Sequence, residues 1–269
     1  MYRFALRPRW ILSHLLVVAI VGACIWAGFW QLRRLDEKRT VIDRFEDRSV
    51  MDVVPLTDLL DVASDDADVD AVALRPVVVT GTYLPDEEVT VRNRSLDGAP
   101  GHWVLTPLLM PDGTAVVVNR GWVPLAVLED LDRAAPPAGE VTVTGALTAS
   151  QERGRLGAAD AAEGDLVDLA RADVGRIAAE MDVPVLPAYV TLAAQDPPVG
   201  DIPTPVEVVE PDEGPHMGYA VQWFIFAAIA AGGYPLILRR VARDRAVEEA
   251  HPDGPPRTRR RSSLVPVDD

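Results

Sequence analysis

The stretch Trp10–Leu32, WILSHLLVVAIVGACIWAGFWQL, carries no charged residue in 23 positions. A second stretch, Gly214–Leu238, GPHMGYAVQWFIFAAIAAGGYPLIL, carries none in 25. A membrane-spanning helix needs roughly 20 predominantly apolar residues, and two such runs in one chain point to two transmembrane helices. Trp26 and Trp30 in the first run, and Tyr219 and Trp223 in the second, are the side chains that favour membrane interfaces. A cleaved signal peptide fits the first run poorly. Its apolar stretch exceeds the roughly 7–15 residues of a signal core, no small-x-small site follows, and bulky Trp30-Gln31-Leu32 stands where cleavage would fall. It is therefore read as an uncleaved anchor.

These runs divide the chain. Residues 1–9 form a cytoplasmic N-terminus, 10–32 the first span, 33–213 an extracytoplasmic β-rich domain, 214–238 the second span with its interfacial entry, and 239–269 a basic, disordered cytoplasmic tail. Charge separates in the same places. The net charge of −15 over 269 residues hides 33 Asp and Glu against 11 Arg in residues 41–214, and 8 against 15 Lys and Arg elsewhere. An acidic middle excludes nucleic acid as a partner, because phosphate binding needs clustered basic charge. The first span has arginines on both sides. The second is followed at once by Arg239, Arg240, Arg243 and Arg245 and has no Lys or Arg between Arg176 and its start. By the positive-inside rule both termini are cytoplasmic and the acidic domain faces outward from the cell membrane. The basic end then lies beside anionic membrane lipids.

Cys24 is the only cysteine and lies within the first span, so the outer domain has neither disulfide nor CxxC pair. It folds by its core alone. Leu35–Val50 is helix-compatible and prolongs the first span, while Asp61–Asp70 (DVASDDADVD) reads as an acidic loop. Strands are expected over Pro76–Gly81, Glu88–Arg94, His102–Leu109, Thr114–Gly121, Glu140–Leu147, Ala188–Leu192 and Ile202–Val209. Pro111-Asp112-Gly113 marks a hairpin. Asp173–Met181 carries Val174, Ile177, Ala178 and Met181 at amphipathic helical spacing, with Asp173 as N-cap. The expected fold is a mainly antiparallel β domain, barrel or sandwich-like, with one or two helices, set between two transmembrane helices.

The motifs of common enzyme chemistry are missing: there is no GxSxG, no Walker loop and no HExxH. Carboxylates are too many for any chosen pair to mean much, and Glu87-Glu88 reads as a solvated strand start. Of the four histidines, His251 lies in the tail, His14 near the cytoplasmic end of the first span, and His102 after a turn, as a surface or capping residue. His216 stands just before the second span. On a helix it shares one face with Tyr219, Ala220 and Trp223. Neutral imidazole ligates haem iron, and aromatic walls suit a macrocycle. From spacing alone, an interfacial histidine bonded to lipid or backbone ranks ahead of a ligand.

Several blocks in order resemble the Surf1 family of cytochrome c oxidase assembly proteins. Gly28-Phe29-Trp30-Gln31-Leu32 with Arg34 and Lys38 resembles the signature at the end of the family's first span. Arg75-Pro76, Gly81-Thr82-Tyr83 and Val91-Arg92-Asn93-Arg94 fit its first block. Gly101, Thr106-Pro107 and Val118-Asn119-Arg120-Gly121-Trp122-Val123-Pro124 match its central block. Ile177-Ala178 through Pro187-Ala188-Tyr189-Val190 resembles its later helix–strand block, and His216-Met217-Gly218-Tyr219-Ala220-Val221-Gln222-Trp223-Phe224 its closing motif. Met217 replaces the usual Leu, a volume-conserving exchange. Gln151–Ala170 lacks the aromatic residues many members carry before the helix.

The resemblance implies a non-enzymatic role in assembling the haem–copper oxidase core subunit, by holding or delivering haem a. It places haem contact on His216, as axial iron ligand, and on Trp223. Helical spacing adds Tyr219 on the same face, and Trp30 and Gln31 of the first span are expected to complete the pocket because two spans flanking one compact domain must approach one another. Arg34 and Arg120 are candidates for pairing with the haem propionates, as are Arg33, Lys38, Arg92 and Arg94, and for Arg120 an internal ion pair is an equal alternative. The implied partners are the oxidase core subunit, haem a synthase and membrane lipids. The alternative is a scaffold that stabilises the nascent core subunit without touching haem.

Overall fold

The computed structural model describes residues 3–151, 166–198, 200–208 and 210–250. In chain order its elements are α1 (Pro8–Ser49), β1 (Val54–Pro55), α2 (Asp66–Val72), β2 (Pro76–Tyr83), β3 (Val89–Leu96), β4 (Ala99–Leu109), β5 (Ala115–Pro124), β6 (Glu140–Ala149), β7 (Asp168–Leu169), α3 (Val174–Ala178), β8 (Val185–Asp196) and α4 (His216–Ala250). They group into two units, one of Met1–Arg39 with Glu213–Asp269 and one of Thr40–Asp212.

The first unit is a pair of helices. Along α1 the residues turned from solvent include Trp10, His14, Val17, Val21, Cys24, Gly28, Gln31 and Leu35, in alternating steps of four and three. Along α4 they include His216, Ala220, Trp223, Ala227, Ala230 and Tyr234, in the same rhythm. That mean spacing of 3.5 is the seam of two helices wound on each other. Contacts of His14 with Tyr234 and of Gln31 with His216 make the pair antiparallel. Small residues on the seam make room for side chains of the other helix. A Cβ on Gly28 would stand 2.7 Å from the Phe224 ring, which itself packs edge-on against Phe29 at 5.4 Å. The remaining surface is apolar too. Leu12, Leu16, Ile225 and Ile229 are exposed, and only 11% and 6% of the most apolar window of each helix is buried, where the core helix of a soluble protein would be mostly buried. Both helices are long and apolar enough to cross a membrane. α1 carries on through its polar extension to Ser49, as expected. α4 also overruns its apolar stretch. Arg239–Ala250, expected to be disordered, is helical, because Arg and Ala are strong helix formers. The rest of the tail lies outside the described residues.

The second unit is one mixed sheet, in the order β1-β2-β6-β8-β5-β4-β3-β7, with a further short pairing of Thr82 and Tyr83 in β2 with Leu109 and Leu108 in β4. The β3–β4, β4–β5, β2–β6 and β6–β8 ladders are antiparallel, as expected. The β1–β2, β3–β7 and β5–β8 pairings are parallel. β5 and β8 lie inside the sheet and are buried on both faces. Val116 and Val118 join one cluster with Val190 and Leu192, while Val117 joins another with Tyr189 and Ile177. Hence their near-continuous apolar runs. The β4–β5 hairpin turns at Gly113 (φ 85°), where Asp112 accepts from the Thr114 amide and hydroxyl.

Two expectations fail here. The acidic stretch Asp61–Asp70 is not all loop. Asp65 and Asp68 form a reciprocal capping box that starts α2, and Val69 anchors it in the core. Ile202–Val209 forms no strand in its described residues. Pro203 and Pro205 lack the N–H a ladder needs, and only Thr204 makes an isolated bridge, to Trp122. The helix expected over Asp173–Met181 is the single turn α3, with Asp173 accepting from the Arg176 amide at 3.0 Å. Of Gln151–Ala170, residues 152–165 lie outside the described residues.

Candidate functional site

His216 is the first residue of α4, half-buried on the seam. Its Nδ1 lies 2.8 Å from Oε1 of Gln31 on α1. An amide oxygen only accepts, so Nδ1 carries the proton and donates. When the ring is neutral, that tautomer leaves the lone pair on Nε2, one of the two nitrogens through which histidine binds metals. Among the described residues none hydrogen-bonds Nε2. Ala220, one turn deeper, is buried on the seam. Trp223 follows on the same seam, half-buried, with its ring edge-on to Phe226 at 6.0 Å.

The other expected residues are placed differently. Tyr219 is 49% exposed and Trp30 46%, so both flank the seam instead of lining it. Gln31 meets the imidazole itself. Arg34 lies on the exposed side of α1 and pairs with Glu37 one turn on, at 2.8 Å.

Arg120 is fully buried in the sheet unit. The register of β4 against β5 jumps between Val104 and Leu105, which pair with Gly121 and Asn119. Arg120 is the extra residue of that bulge, and its side chain enters the interior. Nη1 donates to Glu88 Oε2 at 2.8 Å and Nη2 to the Ala134 carbonyl at 2.5 Å, with the Tyr83 ring 5.5 Å from the guanidinium. Thr106 donates to the same Glu88 oxygen. Burial pulls Arg120 below the ordinary arginine range, against the opposing pull of Glu88 and Tyr83. The same burial pushes the Tyr83 hydroxyl well above the usual phenol range. Glu88 is thus no solvated strand start: its side chain is 10% exposed and serves as counter-ion. Asn119–Trp122 lies inside β5. Arg92 pairs with Asp168 at 2.9 Å, and Arg94 stacks on Trp103 at 4.1 Å and donates to Gln151.

His14, left open by its sequence, joins the opposite end of the seam. Its Nδ1 lies 2.7 Å from the Tyr234 hydroxyl, which is itself 3.0 Å from the Ser13 hydroxyl, and its Nε2 lies 3.2 Å from the Ala5 carbonyl. Both ring nitrogens are engaged. Tyr234 and Ser13 escaped the sequence reading; the signal was present in the seam spacing, which puts His14 and Tyr234 on the inward faces of their helices.

The SURF1 family model matches residues 18–228. A SURF1-like protein of Mycobacterium tuberculosis is 30% identical over 253 residues, which covers 92% of this chain and 90% of the relative. A SURF1-like protein of Dictyostelium discoideum is 34% identical over 98 residues, 35% of this chain and 36% of the relative. The cytochrome oxidase assembly protein SHY1 of Saccharomyces cerevisiae is 31% identical over 111 residues, 40% of this chain and 27% of the relative.

Proposed function

The chain belongs to the SURF1 family, and from that premise we propose that it is a membrane-anchored assembly factor for a haem–copper cytochrome c oxidase, one that holds haem a at His216 for insertion into the core subunit. The observation that carries the haem reading is the half-buried imidazole whose Nδ1 is occupied by Gln31, which leaves Nε2 as the lone-pair nitrogen of the neutral ring. The residues fit the group. His216 would supply the axial ligand, and Trp223, with the exposed rings of Tyr219 and Trp30 beside it, an apolar aromatic surface for the macrocycle. Haem a brings an iron that takes an axial imidazole, an apolar body and tail, and two propionates. Of the arginines weighed for the propionates, Arg34 is exposed and reachable, while Arg120 already pairs internally with Glu88. A single imidazole ligand holds a cargo and still lets it go.

Two helices with apolar surfaces on every side favour a bilayer as their surroundings. The arginines after Leu238 favour a cytoplasmic C-terminus, with the acidic sheet unit extracytoplasmic at the cell membrane. The core subunit is the proposed recipient and haem a synthase the proposed donor, with no chemistry catalysed by the chain itself.

The test is purification of the full-length protein from cells with and without haem a synthesis, beside His216→Ala. Haem a absorbance should follow synthesis and vanish in the variant. An unchanged Soret band in His216→Ala would discard the ligand assignment. Co-purification of the core subunit from cells lacking haem a, with no haem on the wild type elsewhere, would replace the carrier with a scaffold.

A further inference from the structure

Resting on the haem reading above, we propose that Gln31 is a positioning residue: it holds His216 in the Nδ1–H tautomer and so sets the availability and strength of Nε2 as an iron ligand. An unconstrained imidazole carries its proton on either nitrogen, and the Nε2–H form presents no lone pair at Nε2. A water or headgroup that donates to Nδ1 would select that closed form. The Gln31 oxygen, 2.8 Å away, selects the open one.

The amide is well placed for this. Gln31 lies on the seam of α1 between Gly28 and Leu35, and Leu35 is 3% exposed, so packing on either side fixes the helix that carries it. His216 begins α4, where no preceding helical turn constrains its ring. The acceptor on the neighbouring helix does so instead. Metal-bound histidines commonly donate their other ring N–H to a carboxylate or a carbonyl, and the choice tunes basicity. A carboxylate pulls the proton strongly and makes the imidazole a stronger donor to iron. A neutral amide pulls less. Gln31 therefore gives a ligand that is correctly aimed yet moderate in strength, as suits a group that must be handed on.

The experiment separates this role from haem binding. Full-length protein with 13C- and 15N-labelled histidine is examined in micelles without haem, and His216→Ala assigns the His216 signals. Wild type should show the Nδ1–H tautomer at His216. Gln31→Leu should shift it to Nε2–H or a mixture, with the His14 signals unchanged as a control that the helix pair is intact. Titration with ferric haem a should then show affinity reduced about 10–100-fold in Gln31→Leu. Gln31→Glu should restore it and lower the midpoint potential of the bound haem. An Nε2–H tautomer in the wild type, or a Gln31→Leu protein with unaltered tautomer and affinity, overturns the positioning role alone. A wild type that shows the Nδ1–H tautomer but takes up no haem overturns the haem reading, and the ligand role of Gln31 with it.

Discussion

The interior of the sheet unit and the His216 end of the helix pair both draw a polar side chain out of water, and they treat it in opposite ways. Arg120 has both terminal nitrogens bonded inside the protein, to Glu88 and to a backbone carbonyl, with a tyrosine ring alongside. His216 has one nitrogen bonded and one left over. Of the Arg120 nitrogens, Nε alone is buried without a partner among the described residues. A buried group whose charge is paired internally contributes to the fold, because losing one partner strands the other. A group with an unused lone pair at the edge of an apolar surface contributes little to the fold and is available to a ligand. On the proposed function, that difference assigns two residues of equally prominent motifs to different roles.

The largest test strikes the closed side. Arg120→Ala leaves the Glu88 carboxylate, 10% exposed, without its counter-ion. Breaking such a buried pair costs about 3–5 kcal/mol. Denaturant unfolding of the full-length protein, followed by the fluorescence of Trp103 and Trp122 in the sheet, measures it. The double variant Arg120→Met with Glu88→Gln should recover much of the loss, since no charge then remains buried. A loss below about 1 kcal/mol in the single variant would mean that the pair is not closed as described.

Next in size is the seam itself. Gly28→Leu drives side-chain atoms into Phe224, where even a Cβ would come within 2.7 Å. Overpacking of this kind costs about 1–3 kcal/mol. The helix pair should lose its Gln31–His216 register, seen as loss of haem a uptake, while the unfolding midpoint of the sheet stays that of the wild type. Retained uptake would show that the open imidazole does not need the helix contact.

A smaller effect separates the two histidines of the seam. His14 has both ring nitrogens engaged, so it belongs with Arg120 on the closed side although it shares a helix pair with His216. His14→Ala should weaken the pairing of the helices by about 0.6 kcal/mol, the mean for interhelical hydrogen bonds in membranes. It should leave the Soret band of bound haem a in place. A band lost in His14→Ala and kept in His216→Ala would reverse the assignment.

What the sequence made legible follows the range of each interaction. The uncharged runs, the alternating strands and the Pro111-Asp112-Gly113 turn are local, and all but the strand expected at Ile202–Val209 stood in the structure. So did the inward face of His216, Ala220 and Trp223, which needs only helical geometry. The capping box of α2 was equally local, but Asp65 and Asp68 sat within a run of aspartates whose composition outweighed their spacing. Arg120 and Glu88 could not be paired in advance. Their meeting depends on a bulge in β5, and a bulge shows itself only against a partner strand. Gln31 and His216 are 185 residues apart and meet only once two helices are placed in register. Tyr219 was set on the seam by its spacing from His216, yet it is 49% exposed, because the contact face is narrower than a half-cylinder and Ala220 occupies its centre.

The smallest effect concerns a histidine of the sheet, and it extends the comparison to pH. His102 lies half-buried on β4 with Nδ1 3.1 Å from the Thr90 hydroxyl. Burial holds its pKa below the usual value of 6.5, outweighing the opposing pull of Asp168, with Arg92 adding to the depression. The folded state then binds fewer protons than the unfolded state in the window between the two pKa values. Stability therefore rises with pH across that window. It is fullest above the unfolded histidine value of about 6.5 and declines as pH falls through it toward the lowered folded value. The unfolding midpoint of the sheet, followed from roughly pH 8 to 5, should fall through this range in the wild type, and His102→Gln should remove that part of the decline. Carboxylates contribute their own decline at lower pH in both proteins, so the difference between the two curves is the quantity that matters. Parallel curves would show that His102 titrates alike folded and unfolded, and that the sheet can leave a histidine as open to protons as the helix pair leaves His216 open to a ligand.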